Sequence, residues 1–140
     1  LNGNYGNIGA VVVGSNIKTM SIGIKRSQHG LADFAYAPLV WMAPRIAGFQ
    51  QLTHANVACK AAAAGALTYA LLTDAEWGAA KLLPYKAHLA IDFAVGAASF
   101  AAPWVLGVQH HKGARNTFLL MGAVSLIVGL LSVLGSRKGD

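Results

Sequence analysis

Apolar positions run along this chain in four blocks of unequal clarity. From Asn116 to Ser136, NTFLLMGAVSLIVGLLSVLGS, no charge interrupts 21 residues. That is the length a helix needs to cross roughly 30 Å of hydrocarbon. His88 to Val108, HLAIDFAVGAASFAAPWVLGV, is a second such block, with Asp92 its one charged residue. Two earlier blocks are weaker when read alone. Phe34 to Pro44 stays apolar for eleven residues before Arg45. Ala61 to Thr73 is short unless His54 to Lys60 joins it, with Lys60 snorkelling outward. Ahead of them all, Leu1 to Gln28 mixes Gly and Asn with two short β-branched runs, the pattern of an extended arm or small hairpin.

An internal duplication rescues the weaker blocks. His29 to Phe49 aligns with His88 to Val108 without a gap, every pair 59 residues apart, and seven of the 21 positions are identical. The matched pairs include His29 with His88, Asp33 with Asp92, Pro44 with Pro103 and Gly48 with Gly107. Chance supplies matched Ala easily; it rarely supplies His, Asp, Pro and Gly at one offset. If the second copy is a pair of helices, the first is too. The expectation is an all-α membrane protein of four transmembrane helices in two tandem two-helix repeats, with an irregular N-terminal arm. Residues 1–28 form the arm, 29–73 the first repeat, 74–87 a connecting segment, 88–136 the second repeat and 137–140 a tail. Thr73-Asp74-Ala75-Glu76 reads as a capping-box start, so the connecting segment is expected to hold a short interfacial helix with Trp77 against the headgroups.

Composition narrows the setting. Hydrophobic residues make up 55% of the chain and charged residues 11%, with mean hydropathy +0.48. A small soluble domain needs more polar residues than that to cover its surface. The net charge of +6 comes from Lys and Arg placed singly between apolar runs, which argues for orientation in a bilayer and against a nucleic-acid partner. Lys18, Lys25, Arg26, Lys81, Lys86, Arg137 and Lys138 fall on one side, and Arg45, Lys60, Lys112 and Arg115 on the other. Seven against four places both termini in the cytoplasm. The lone Cys59 reads as a small packing residue.

His29 and Asp33, like His88 and Asp92, are spaced i, i+4 and so share a helix face. A pseudo-twofold axis along the membrane normal could bring the two pairs together, where they could bind a divalent metal or relay protons. The preferred reading is structural. These residues lie near helix starts, where water is close, Asp favours the dipole, and His–Asp hydrogen bonds tie helices together. His54, His110 and His111 lie at the opposite end as conceivable haem or pigment ligands, more simply read as solvated. Arg45, standing where the second copy has Trp104, reads as a contact to lipid phosphate. Arg45, Trp77 and Trp104 are thus the interfacial residues.

The pattern His-x3-Asp, apolar run, Pro-Trp-x2-Gly and apolar helix resembles the SPW-repeat membrane proteins of bacteria. The motif stands here as Ala102-Pro103-Trp104 and Ala43-Pro44-Arg45, lacking Ser in both copies and Trp in one. The resemblance covers about Gln28 to Val133 and implies a four-helix protein of the bacterial inner membrane, with no known reaction. The expectation from the whole sequence is a non-catalytic accessory subunit without cofactor. It would pack against other integral membrane subunits, for example in an electron-transfer assembly, with the 1–28 arm as a docking segment. The alternative is a small metal- or ligand-binding membrane protein or transporter using the paired His and Asp residues; a haem- or pigment-binding subunit is the weaker alternative.

Overall fold

The computed structural model describes residues 22–136. They form four helices: α1 (Arg26–Ile46), α2 (Thr53–Leu72), α3 (Tyr85–Val105) and α4 (Lys112–Ser136). Helices α2, α3 and α4 are each long and apolar enough to cross a membrane. α1 has the 21 residues of α3, its counterpart in the duplication, or about 32 Å of helix. α1 packs chiefly on α2 and α3 on α4, and the two pairs meet mainly through α1 and α4. The chain is an all-α membrane protein of two tandem two-helix repeats. Residues 1–21 of the N-terminal arm lie outside the described residues; residues 22–25 lead into α1, and Arg26, Ser27 and Gln28 belong to its first turn.

The 59-residue offset governs the backbone as well as the sequence. α1 and α3 begin and end 59 residues apart, and so do the starts of α2 and α4. Each first helix carries its Pro, Pro44 or Pro103, buried in the last turn rather than breaking the helix. The next turn supplies the exit. Gly48 and Gly107 sit at φ 70° and 67°, the left-handed region that only glycine enters without penalty. The amides of Phe49 and Val108 then reach back to the carbonyls of Pro44 and Pro103, 2.8 Å in each case. Ala55 and Ala114, both fully buried, let the second helix of each pair close on the first. Around them Val40, Phe49, Cys59, Phe118 and Met121 fill the core at this end.

At the other end each repeat braces its partner. The connecting segment entering α3 donates from Leu83 to the Leu72 carbonyl at the end of α2, 2.8 Å. The segment entering α1 donates from Ile24 to the Leu131 carbonyl near the end of α4, 3.1 Å. These are again positions 59 apart. The Leu72 carbonyl, at the end of α2, has no intrahelical donor, so the connecting segment caps it.

The connecting segment is not the expected short helix. Residues between α2 and α3 fold as turns closed by a bridge between Thr73 and Leu83. The capping-box pattern fails because both of its side chains are committed elsewhere. Thr73 turns its hydroxyl into the bundle, and Glu76 pairs with Arg26 of α1 at 3.1 Å. Trp77 lies half-exposed at this end, but it also docks on α1. Its indole N–H donates to the Ser27 carbonyl, 2.8 Å, and its ring covers Gly30, where a Cβ would come within 2.6 Å of Trp77 Cδ1.

Candidate metal centre

Helical periodicity puts His29 and Asp33 on one face of α1, and the duplication puts His88 and Asp92 on the same face of α3. The two faces meet. His29 Nε2 lies 3.0 Å from His88 Nε2. Asp92 Oδ2 is 3.0 Å from His29 Nε2 and 3.4 Å from His88 Nε2. Asp33 Oδ2 is 3.1 Å from His88 Nε2 and 3.4 Å from His29 Nε2. One ligating atom from each of the four residues falls within 4.8 Å of all the others. His29, Asp33, His88 and Asp92 are all buried, His29 to 1% exposure.

Two hydroxyls decide which ring nitrogens carry protons. Thr73 Oγ1 donates to the Tyr69 carbonyl, and Ser132 Oγ donates to the Val128 carbonyl. Each hydroxyl has one proton, now spent. Thr73 Oγ1 therefore accepts from His88 Nδ1 at 2.7 Å, and Ser132 Oγ accepts from His29 Nδ1 at 2.6 Å. Both neutral rings are Nδ1–H tautomers, and both Nε2 lone pairs face the centre. The two Oδ2 atoms are buried with no hydrogen-bond partner among the described residues. With both rings neutral, four acceptors converge, an arrangement that repels itself unless a metal ion or a proton sits inside it.

The dimensions suit a small metal ion. Four ligands about 2.0–2.1 Å from a tetrahedral Zn²⁺ stand about 3.3 Å from one another, and five of the six edges here run from 3.0 to 3.4 Å. Two carboxylates and two neutral imidazoles carry a charge of −2, which a divalent ion cancels. A neutral site is the form least costly to bury between membrane helices. Thr73 and Ser132 are the outer partners that fix imidazole tautomer and tilt in metal sites. Tyr69 adds a third such contact, its hydroxyl donating to Asp92 Oδ1 at 2.8 Å and leaving Oδ2 for the centre.

Three expectations are corrected by this geometry. His29 and His88 occupy the fourth residue of their helices, yet both are buried from bulk solvent, because the connecting segment and the ends of α2 and α4 close over them. The expectation that water lies close to the His–Asp pairs therefore fails, while the expected His–Asp contacts between repeats are present, His29 to Asp92 and His88 to Asp33. The expectation of no cofactor also fails, since four buried ligating atoms converge at metal-site distances. The expectation of a non-enzymatic chain fails on the same finding, for a compact buried His/His/Asp/Asp cluster is the equipment of a binding or catalytic centre.

The other singled-out residues lie elsewhere. Pro44, Gly48, Pro103 and Gly107 build the helix exits. Arg45 and Trp104 are exposed at that far end. His54 is exposed there, and so is His110. His111 is half-buried; its Nδ1 accepts from the Ala114 amide, 3.2 Å, and caps α4. None of these three approaches the cluster. Thr73, Tyr69 and Ser132 were missed in the sequence. The signal for the hydroxyls was present, since Thr73 and Ser132 are also 59 residues apart.

No protein-family model, no curated protein and no solved structure matches this chain.

Proposed function

We propose that this chain is a membrane-embedded metal-binding protein. A first-row divalent cation of the zinc class is held between the two repeats by His29 and His88 through Nε2 and by Asp33 and Asp92 through Oδ2. One observation carries the reading: four buried acceptor atoms converge within 4.8 Å, five of their six separations at metal-site spacing, with both imidazoles, when neutral, held in the tautomer that leaves the inward nitrogen unprotonated. Imidazole with carboxylate suits Zn²⁺ and its neighbours better than soft or alkaline-earth ions. The ion would neutralise the buried carboxylates and join α1 to α3, the first helices of the two repeats. The resemblance to SPW-repeat proteins and the charge count support a bacterial inner-membrane setting with both termini in the cytoplasm.

Elemental analysis and Zn²⁺ titration of the detergent-solubilised protein test this. One tightly held ion per chain is expected, with binding lost in His88→Ala. A protein that takes up no divalent metal, or one whose uptake is unchanged in His88→Ala, overturns it. A shared proton is the rival occupant, and it would leave the metal titration silent.

A further inference from the structure

The duplication is faithful at the four ligands and at the two hydroxyls behind the histidines, but it breaks on one side of the site. Tyr36, Tyr69 and Ser125 have Val95, Val128 and Ala66 at the matching positions of the other repeat. These three polar residues all line one cavity, formed where the four helices meet, whose wall includes both ligand carboxylates, Asp33 and Asp92. About 20 Å³ of it is open to the centre of a water molecule, enough for at least one water. The Tyr36 hydroxyl is buried without a hydrogen-bond partner among the described residues. A buried phenol does not stay unsatisfied beside a polar, water-sized space.

We infer that this cavity is an exchangeable fifth coordination position, holding a small oxygen-donor ligand, water or hydroxide, between the metal and the Tyr36 hydroxyl. The inference rests on the metal reading above and deepens it. A structural zinc site closes all positions with protein atoms, whereas a site that does chemistry or hands on its metal keeps one open. Five-coordination is within the range of zinc and cobalt. The ligand touches the metal and Tyr36; Ser125 bounds the space. Tyr69 is a positioning residue, holding Asp92 so that Oδ2 faces the ion.

Cobalt is the probe, because Co²⁺ replaces Zn²⁺ and reports its coordination number. The protein is loaded with Co²⁺ in detergent, and its visible absorption is recorded. Its low-temperature electron paramagnetic resonance is then compared in ordinary water and in water enriched in the magnetic oxygen isotope. The expected result is weak five-coordinate absorption and isotope broadening of the resonance. Ser125→Val fills the space with apolar atoms. It is expected to keep stoichiometric Co²⁺ uptake while losing the broadening and gaining the intense four-coordinate bands. Tyr36→Phe is expected to keep the broadening and speed water exchange roughly tenfold, the worth of one hydrogen bond. Intense four-coordinate absorption with no isotope broadening in the wild type overturns the fifth position and leaves the metal site standing. Failure to take up Co²⁺ at all overturns the metal reading, and the fifth position falls with it. The wild-type measurement decides by itself, so poor folding of either variant does not blunt the test.

Discussion

Asp33 shows how a buried site sets opposite demands on one side chain. With a cation bound, its carboxylate neutralises charge; without one, two buried carboxylates lie close together. Asp33→Asn is therefore expected to be neutral or stabilising in the metal-free protein, by up to ~3 kcal/mol, while weakening Zn²⁺ binding. Thermal unfolding with and without chelator checks both signs on one variant. Thr73 and Ser132 make a second residue-scale prediction. Each accepts a proton from one imidazole, so Thr73→Val and Ser132→Ala should each lower metal affinity by ~10–100-fold, and by similar factors, because the two contacts are equivalent by the repeat. The four ligands were legible in the sequence because spacing i, i+4 and a common offset suffice to place them on one face. Their burial was not legible. It depends on a connecting segment whose path no local pattern specified, and helix-end position suggested water instead. The hydroxyls went unseen because the 21-residue alignment ends at Phe49 and Val108, while the offset that marks them runs on to Thr73 and Ser132.

At the scale of elements, the exits after α1 and α3 and the close approach of α3 to α4 carry the predictions. Gly48 and Gly107 have open space around the missing Cβ, so Ala there costs only backbone strain, ~1–2 kcal/mol each. Gly122 is different. A Cβ there would lie 2.8 Å from the Phe100 ring and 2.9 Å from the Gly96 carbonyl, so Gly122→Ala should loosen the α3–α4 pair by ~1–3 kcal/mol. Thermal unfolding in detergent should rank Gly122→Ala as at least as harmful as either exit glycine. Arg26 and Glu76 join the connecting segment to α1, both side chains about half exposed. The Glu76 carboxyl is held below its usual range first by its own backbone amide and also by Arg26. A carboxylate with a lowered folded pKa contributes its stability above its unfolded value and loses it as the pH falls through the folded one. The contribution is therefore present at neutral pH and lost in acid. Solvent screens the pair, so Glu76→Gln should cost well under ~1 kcal/mol. The helices and their pairing were legible in apolar runs and in the repeat. The turn structure of the connecting segment was not, because Thr73 and Glu76 offered a helix-start pattern while serving α3 and α1.

For the whole molecule, the duplicated fold and the proposed ion belong to one design. Each repeat supplies one His, one Asp and the hydroxyl that orients the other repeat's His, so neither repeat builds the site alone. Each repeat's entry segment also hydrogen-bonds to the other's last helix. Bound metal should then act as a clasp between halves. At a free concentration a hundredfold above its Kd, an ion bound only by the folded state adds ~2.7 kcal/mol of stability. Chelation should lower the unfolding midpoint accordingly, with no such effect in His29→Ala. The exposed aliphatic and aromatic side chains along α1 and α4, among them Leu39, Trp41, Leu120 and Ile127, are what a bilayer covers. The central claim is that two imidazoles and two carboxylates bind one ion. X-ray absorption at the zinc edge of the zinc-loaded protein tests it most directly. The prediction is a shell of nitrogen and oxygen at ~2.0–2.1 Å with no sulfur, with outer-shell scattering from two imidazoles that falls to one, or disappears with the metal, in His88→Ala. Zinc lost on desalting, or zinc held in a shell without imidazole, would contradict it.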